Sequence, residues 1–249
     1  MTAPGVLEIH DVHKHFGGLR ALDGVSFDVR RGELLGLIGP NGAGKTTLFN
    51  VATGIYAPDR GRVRFEGHEI AGRQPHQICR LGLGRTFQAV RPFLDMTVRQ
   101  NVVVGAHFGR GAGERRDEAR LADQMLELLD LQAKAEIHPR HLTLVDRKMV
   151  ELARALATRP RLLLLDEILS GLHPTEMLHA TTLIRRMRDE MGVTIIWIEH
   201  VMRALMATCE RVVVLNFGRV LADGAPAAVA ADPEVVRAYL GEKRAKTGA

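Results

Sequence analysis

Apolar and polar residues alternate from 6 to 16 and again from 22 to 30, with Val6, Glu8, His10 and Val12 on one parity. A period of two predicts two antiparallel strands joined across Gly17-Gly18, and Gly61-Arg62-Val63-Arg64-Phe65-Glu66-Gly67 reads as a third strand of the same sheet. Leu34 to Ile38 is instead a continuous apolar run, the mark of a strand buried on both faces. Thr47 to Thr53 then carries apolar residues at helical spacing and stops at Gly54. Beyond residue 89 the period becomes helical over Thr97–Gly105 and Arg116–Leu131, with Gly109-Arg110-Gly111-Ala112-Gly113 as a mobile connector, and a third helix is expected over 147–156. Apolar runs return at Leu162–Leu165, Val193–Ile198 and Val212–Leu215, with helices between them. The pattern predicts an α/β fold with a mostly parallel core sheet, a small antiparallel β subdomain and a helical insertion. We expect a single domain over 1–249, with its core at about 1–88 and 147–241, the helical subdomain at about 89–146 and a frayed tail at 242–249.

Between the apolar strand and the helix lies Gly39-Pro40-Asn41-Gly42-Ala43-Gly44-Lys45-Thr46, followed by Thr47. This is the G-x-x-x-x-G-K-[ST] phosphate loop in its required strand–loop–helix context. Glycines allow positive φ and leave room for successive backbone N–H groups to turn toward one anion. Lys45 supplies a cation for the β- and γ-phosphates, and the Thr46 hydroxyl can ligate Mg²⁺. A helix beginning at Lys45 would aim its positive end at the same phosphates.

Leu162-Leu163-Leu164-Leu165-Asp166-Glu167 is an apolar strand that ends in two carboxylates, and ligands of α/β sheets bind at the carboxyl ends of strands. Asp166 is placed to hold Mg²⁺ through water, while Glu167 can polarise an attacking water. Thr194-Ile195-Ile196-Trp197-Ile198-Glu199-His200 ends the same way, so the His200 imidazole can meet the γ-phosphate and the water. Gln88 follows the short segment Arg85-Thr86-Phe87, and its amide can reach Mg²⁺ or water; alone, that residue reads better as a surface glutamine.

The chain is 46% hydrophobic and 25% charged, ordinary for a globular protein, and its few aromatics exclude a broad stacking platform for single-stranded nucleic acid. Its net charge of +5 is spread along the chain, so we expect no nucleic-acid partner. Cys79 and Cys209 form no metal-ligand spacing and no disulfide framework. The start of the chain lacks the pattern of a signal peptide, and no apolar run approaches the ~18 residues of a membrane span. A soluble chain is expected.

Taken together, Gly39–Thr46, Gln88, Leu162–Glu167 and His200 resemble the ATP-binding subunit of an ABC (ATP-binding cassette) transporter over essentially the whole chain. Four segments are similar to the ATPases of branched-chain amino acid importers: Phe16-Gly17-Gly18-Leu19-Arg20-Ala21-Leu22, Gly84-Arg85-Thr86-Phe87-Gln88, Glu199-His200-Val201-Met202 and Ala238-Tyr239-Leu240-Gly241. The wording around Gln88 resembles the first of the two ATPases such importers pair. The resemblance implies an ATPase that uses ATP and Mg²⁺, in which Phe16 stacks on adenine, Gln88 is the switch-loop glutamine, Glu167 the catalytic base and His200 the switch histidine, with Lys45 on the phosphates. It also implies a second ATPase subunit, two membrane-spanning permease subunits facing residues 89–100, and a periplasmic or extracellular solute-binding protein acting indirectly. The chain would then sit at the cytoplasmic face of the cell membrane. The solute by resemblance is a branched-chain amino acid or a related small polar molecule.

One segment departs from the family. Where Leu-Ser-Gly-Gly-Gln is usual, the chain reads Leu142-Thr143-Leu144-Val145-Asp146, keeping a hydroxyl at Thr143 but no glycine. That hydroxyl is the candidate contact to ATP held by the partner. Ser170-Gly171-Leu172-His173 likewise carries His where Asp is usual. A heterodimer with one fast and one slow site would tolerate such a signature. A nucleotide sensor, or a non-transport ABC ATPase with weak hydrolysis, stays open as the alternative. An ABC-type ATPase of DNA maintenance is disfavoured by the lack of heptads and Cys clusters, and a GTPase by the lack of Asn-Lys-x-Asp.

Overall fold

The computed structural model describes residues 5–111 and 115–244, so the expected tail lies outside it from 245 onward, as do residues 112 and 113 of the glycine-rich connector. The chain forms two compact units, Met1–Gln74 with Ile195–Ala249, and Pro75–Thr194.

The first unit begins with β1 (Leu7–Phe16) and β2 (Leu19–Val29), paired antiparallel from Leu7↔Val29 to Phe16↔Leu19. The buried side of β1 runs through Leu7 and Ile9 and then changes parity to Val12, so the single parity expected for Val6, Glu8, His10 and Val12 does not hold along the strand. The cause is a bulge: the ladder shifts between Ile9 and Val12, and Asp11 takes φ 49°. Strand β3 (Leu34–Ile38), buried throughout, leads into helix α1 (Lys45–Ala52). Strand β4 (Arg60–Phe65) pairs antiparallel with the other side of β1, and the two-residue β5 (His68–Glu69) pairs with β4. Gly61 faces the bulge at φ 95°, where a Cβ would stand 2.2 Å from the Asp11 carbonyl oxygen.

The second unit opens with α2 (Pro75–Leu81) and β6 (Leu83–Arg85). Helix α3 (Val98–Phe108) starts at a capping box, in which the Thr97 hydroxyl accepts from Gln100 N and the Gln100 side chain accepts from Thr97 N. Asn101, wholly buried, donates to the carbonyls of Phe93, Met96 and Thr97 and accepts from Phe93 N, which fixes the turn before the helix. Helix α4 (Arg115–Leu128) buries Ala122, Met125 and Leu126 along one stripe. Helix α5 (Leu144–Ala157) begins three residues before the expected 147, because the Thr143 hydroxyl accepts from Asp146 N at 3.2 Å and caps it there. It crosses α3 where Gly105 faces the Arg154 carbonyl. Strand β7 (Leu162–Asp166) pairs parallel with β6, Leu83↔Leu162 through Arg85↔Leu164, and α6 (Pro174–Asp189) follows.

The chain returns to the first unit with β8 (Thr194–Ile198), α7 (Met202–Thr208), β9 (Arg211–Asn216), β10 (Arg219–Gly224), α8 (Pro226–Ala231) and α9 (Pro233–Arg244). Strand β3 runs parallel to both β8 and β9, while β10 closes an antiparallel hairpin with β9. Leu34, Leu35, Leu37, Ile38, Ile196, Trp197, Ile198, Val213 and Val214 form the apolar layer around the phosphate-loop strand. Each such side chain contributes about 1.5–3 kcal/mol on burial.

The α3–α5 crossing gives a direct test. A Cβ at Gly105 would sit 2.2 Å from the Arg154 carbonyl oxygen, whereas Gly18 has nothing within 4 Å. Gly105→Val is expected to lower the urea unfolding free energy by about 1–3 kcal/mol through overpacking. Gly18→Ala should change it by less than about 0.5 kcal/mol.

Candidate functional site

In the first unit the phosphate loop is shaped by positions that exclude a side chain. Gly39 has φ 152°, and a Cβ there would stand 2.1 Å from the Leu215 carbonyl oxygen; Gly44 has φ 103°, and its Cβ would meet the Ala21 carbonyl oxygen at 2.5 Å. The β9–β10 hairpin backs the loop, Gly218 N donating to the Ala43 carbonyl and the Gly218 carbonyl accepting from Asp23 N. Helix α1 starts straight from Gly44, with no side-chain cap and no acid in its first turn. An uncapped helix N-terminus above a glycine cradle fits a phosphate group. Lys45 is buried and donates to the carbonyls of Gly39 at 2.6 Å and Pro40 at 3.0 Å, so its ammonium already lies in the loop. Asn41, Gly42 and Thr46 are exposed, and Thr47 is half-buried.

Phe16 ends β1 with its ring open to solvent, the Tyr56 ring edge-on at 5.1 Å and Lys14 Nζ 5.6 Å from its centroid. Lys14 Nζ and His15 N donate to Asp59, and the lysine first, then that backbone bond, holds its carboxyl at about 2. The aromatic position is therefore fixed by a charged clamp. His200 is exposed at the end of β8, its backbone N–H donating to the buried Glu199 carboxylate at 3.1 Å.

In the second unit the in-register pairing of β6 and β7 makes residues 86–88 and 166–167 leave the same strand edge. Thr86 N donates to the Leu164 carbonyl, and Asp166 N to the Thr86 hydroxyl. Gln88 Nε2 then donates to Glu167 Oε2 at 2.8 Å, so these two residues, 79 apart in sequence, share a hydrogen bond. Glu167 has φ 53°, a strained region for a non-glycine residue.

Three residues of this cluster were given no role from the sequence. Arg85 NH2 donates to Asp166 Oδ2 at 2.9 Å, both side chains being buried; burial pulls the arginine below its usual value, while the Asp166 hydrogen bond and charge oppose that. Glu151 of α5 accepts from Phe87 N at 2.5 Å, and burial pushes its carboxyl up against that bond. Lys148, one helical turn earlier, donates to the carbonyls of Glu167, Ile168 and Ser170. Arg85 stands three residues before Gln88, its one discoverable cue. Lys148 and Glu151 were hidden in an amphipathic helix.

Thr143 lies on the same α5, where its hydroxyl caps the helix, and the Leu144 side chain is half exposed beside it. Among the described residues no group of three His, Cys, Asp or Glu side chains could hold a metal ion. Within the second unit the Gln88 amide and the Asp166 carboxylate are oxygen-bearing groups of the kind Mg²⁺ takes, one or two from protein and the rest from water and phosphate. No helix among the described residues is long and apolar enough to cross a membrane.

Comparison with known proteins shows the family. The family model described as ABC transporter matches residues 22–170, and one described as branched-chain amino acid ATP-binding cassette transporter matches 219–245. The chain is 40% identical to the high-affinity branched-chain amino acid transport ATP-binding protein BraF of Pseudomonas aeruginosa, over 97% of this chain and 100% of that one. It is 37% identical to LivG of Escherichia coli K12, of the same description, over 97% and 100%. Among solved structures, the ADP conformation of an ATP-binding cassette of an ABC transporter superposes with a TM-score of 0.84 at 30% identity, covering 96% of this chain and 100% of that one.

The buried Arg85–Asp166 pair should behave as a unit. Arg85→Met leaves a buried carboxylate uncompensated and is expected to cost about 3–5 kcal/mol in urea unfolding without nucleotide. In the Asp166→Asn background the same substitution should cost distinctly less, a coupling that a double-mutant cycle reads directly.

Proposed function

The chain belongs to the ABC transporter family of ATP-binding subunits, and on that premise we propose that it powers uptake of branched-chain amino acids or related small polar solutes. Its reaction is ATP hydrolysis coupled to transport. The observation that carries the proposed assignment of roles is the Gln88–Glu167 hydrogen bond, which pairs an amide able to face a metal with a carboxylate able to hold water. The names of the relatives and the match over 219–245 support the solute class.

The backbone N–H groups between Gly39 and Thr47, all but that of Pro40, which has none, cradle the β- and γ-phosphates, and Lys45 moves its ammonium from the loop carbonyls onto them. Phe16 stacks on the adenine. The Thr46 hydroxyl, the Gln88 amide oxygen and the Asp166 carboxylate would hold Mg²⁺, which when bound would supply charge neutralisation for the phosphate oxygens. Glu167 accepts a hydrogen bond from the attacking water, aligns it for in-line displacement and takes its proton as the P–O bond forms. His200 donates to the γ-phosphate as charge builds there. ADP then leaves with its terminal oxygen carrying the electrons of the broken bond.

Thr143 serves the nucleotide of a second ATPase subunit, and the altered Leu142–Asp146 segment makes that pair an asymmetric heterodimer. Residues 89–100 face the permease: Phe93, Leu94 and Met96 are all exposed there, a set of apolar side chains suited to docking. The subunit accordingly works at the cytoplasmic face of the membrane, with a solute-binding protein acting only through the permease.

The test is ATP turnover by this chain alone and mixed with its paired ATPase. Turnover is expected mainly in the mixture, and Glu167→Gln in this chain should lower kcat by about 10²–10⁴. Full turnover by the chain alone would remove the heterodimer requirement; turnover indifferent to Glu167→Gln would remove the assigned base.

A further inference from the structure

Glu167 is the residue on which hydrolysis turns, and its backbone is strained at φ 53°. A non-glycine residue keeps such a conformation only when its surroundings over-determine it. Its carbonyl oxygen accepts from Lys148 Nζ at 3.2 Å, and the same ammonium reaches the carbonyls of Ile168 at 3.2 Å and Ser170 at 2.5 Å. Lys148 is a buried cation, and burying an ammonium is costly unless its donors are satisfied. Three donors of one ammonium therefore act on one four-residue stretch of chain, the stretch that carries the candidate base. One turn further along the same helix, Glu151 Oε1 accepts from Phe87 N at 2.5 Å, the backbone group immediately before Gln88. So α5 grips Glu167 from one side and Gln88 from the other, and these two residues meet in the 2.8 Å hydrogen bond.

We propose that Lys148 and Glu151 are positioning residues for hydrolysis, which hold the backbones of Glu167 and of the Gln88 segment so that the two side chains meet in the geometry that aligns the attacking water. The proposal rests on Glu167 being the base. Both act through backbone groups of neighbouring residues. A long, flexible lysine suits this role because its point charge collects carbonyls from several directions, while a carboxylate suits a single N–H. Since α5 also begins at Thr143, the helix that presents the signature segment is the one that sets the spacing of the Gln88–Glu167 pair.

The experiment uses the full chain assembled with its paired ATPase and permease subunits, with ATP as the probe. Lys148→Met is expected to lower kcat by about 10–100-fold with KM for ATP within about threefold, since a small misplacement of a reacting group costs up to about 10²-fold. Lys148→Arg should recover most of that loss. In the Glu167→Gln background, measured by single turnover, Lys148→Met should add almost nothing, because the group it positions is gone. Glu151→Leu should follow the same non-additive pattern and Glu151→Gln should stay near wild type; this pair carries the test if Lys148→Met does not fold. Equal fold-losses in both backgrounds, or an unchanged kcat in Lys148→Met and Glu151→Leu, would overturn the proposal. A wild-type complex whose turnover ignores Glu167→Gln would instead overturn the reading beneath it, whatever the Lys148 variants do.

Discussion

Strands β3, β7 and β8 are buried along their whole length, so polar chemistry can enter only where each of them stops. That constraint arranges the rest. The phosphate loop begins at Gly39, one residue beyond β3; the carboxylates Asp166 and Glu167 terminate β7; His200 stands two residues past β8. A charge placed earlier in any of these strands would lose its hydration with no partner, at a cost of several kcal/mol. The β6–β7 pairing extends the same logic, because its register releases Gln88 at the edge where Glu167 emerges.

Buried cations then stabilise the turns that follow. Lys45 is held by the carbonyls of Gly39 and Pro40, Lys148 by those of Glu167, Ile168 and Ser170, and Arg85 by the Asp166 carboxylate. The first two use the same device, an ammonium that gathers carbonyl oxygens of a loop. They differ in consequence. The partners of Lys45 are neutral dipoles that a polyphosphate out-competes, so the contact is reversible by ligand. Lys148 is set on the backbone of the Glu167–Ser170 stretch, where three carbonyls compensate its charge within the fold.

The phosphate loop was legible because its constraint is written in residue identity: only glycine satisfies Gly39, where a Cβ would collide with the Leu215 carbonyl oxygen. The buried strands were legible for a similar reason, since five apolar residues in a row admit few alternatives. What sequence could not show were relations set by register and reach. Gln88 alone read better as a surface residue, and only the β6–β7 pairing brings it to Glu167. The bulge at Asp11 moved the buried face of β1, because one extra residue inverts a period of two. Lys148 and Glu151 looked like the polar stripe of a helix, and charged side chains there are usually solvated; burial against loop backbone is a tertiary fact.

The altered signature segment is best understood through its cap. The Thr143 oxygen accepts from Asp146 N, yet a hydroxyl that accepts this bond keeps its own proton for a phosphate oxygen. The N-terminal dipole of α5 is retained as well, since Leu144 and Val145 are ordinary first-turn residues and neither needs positive φ. What the missing glycines remove is proximity: side chains now stand where a polyphosphate would meet bare backbone. Part of that bulk is absorbed within the chain, because Gly171 has no side chain and a Cβ there would lie 3.5 Å from Leu144 Cδ2. The segment thus keeps its hydroxyl and its dipole while losing close approach. Under the proposed pairing of two ATPases, that would weaken its hold on a partner's nucleotide and make the two sites unequal. That asymmetry follows from two side chains, Leu144 and Val145, on an otherwise intact helix start.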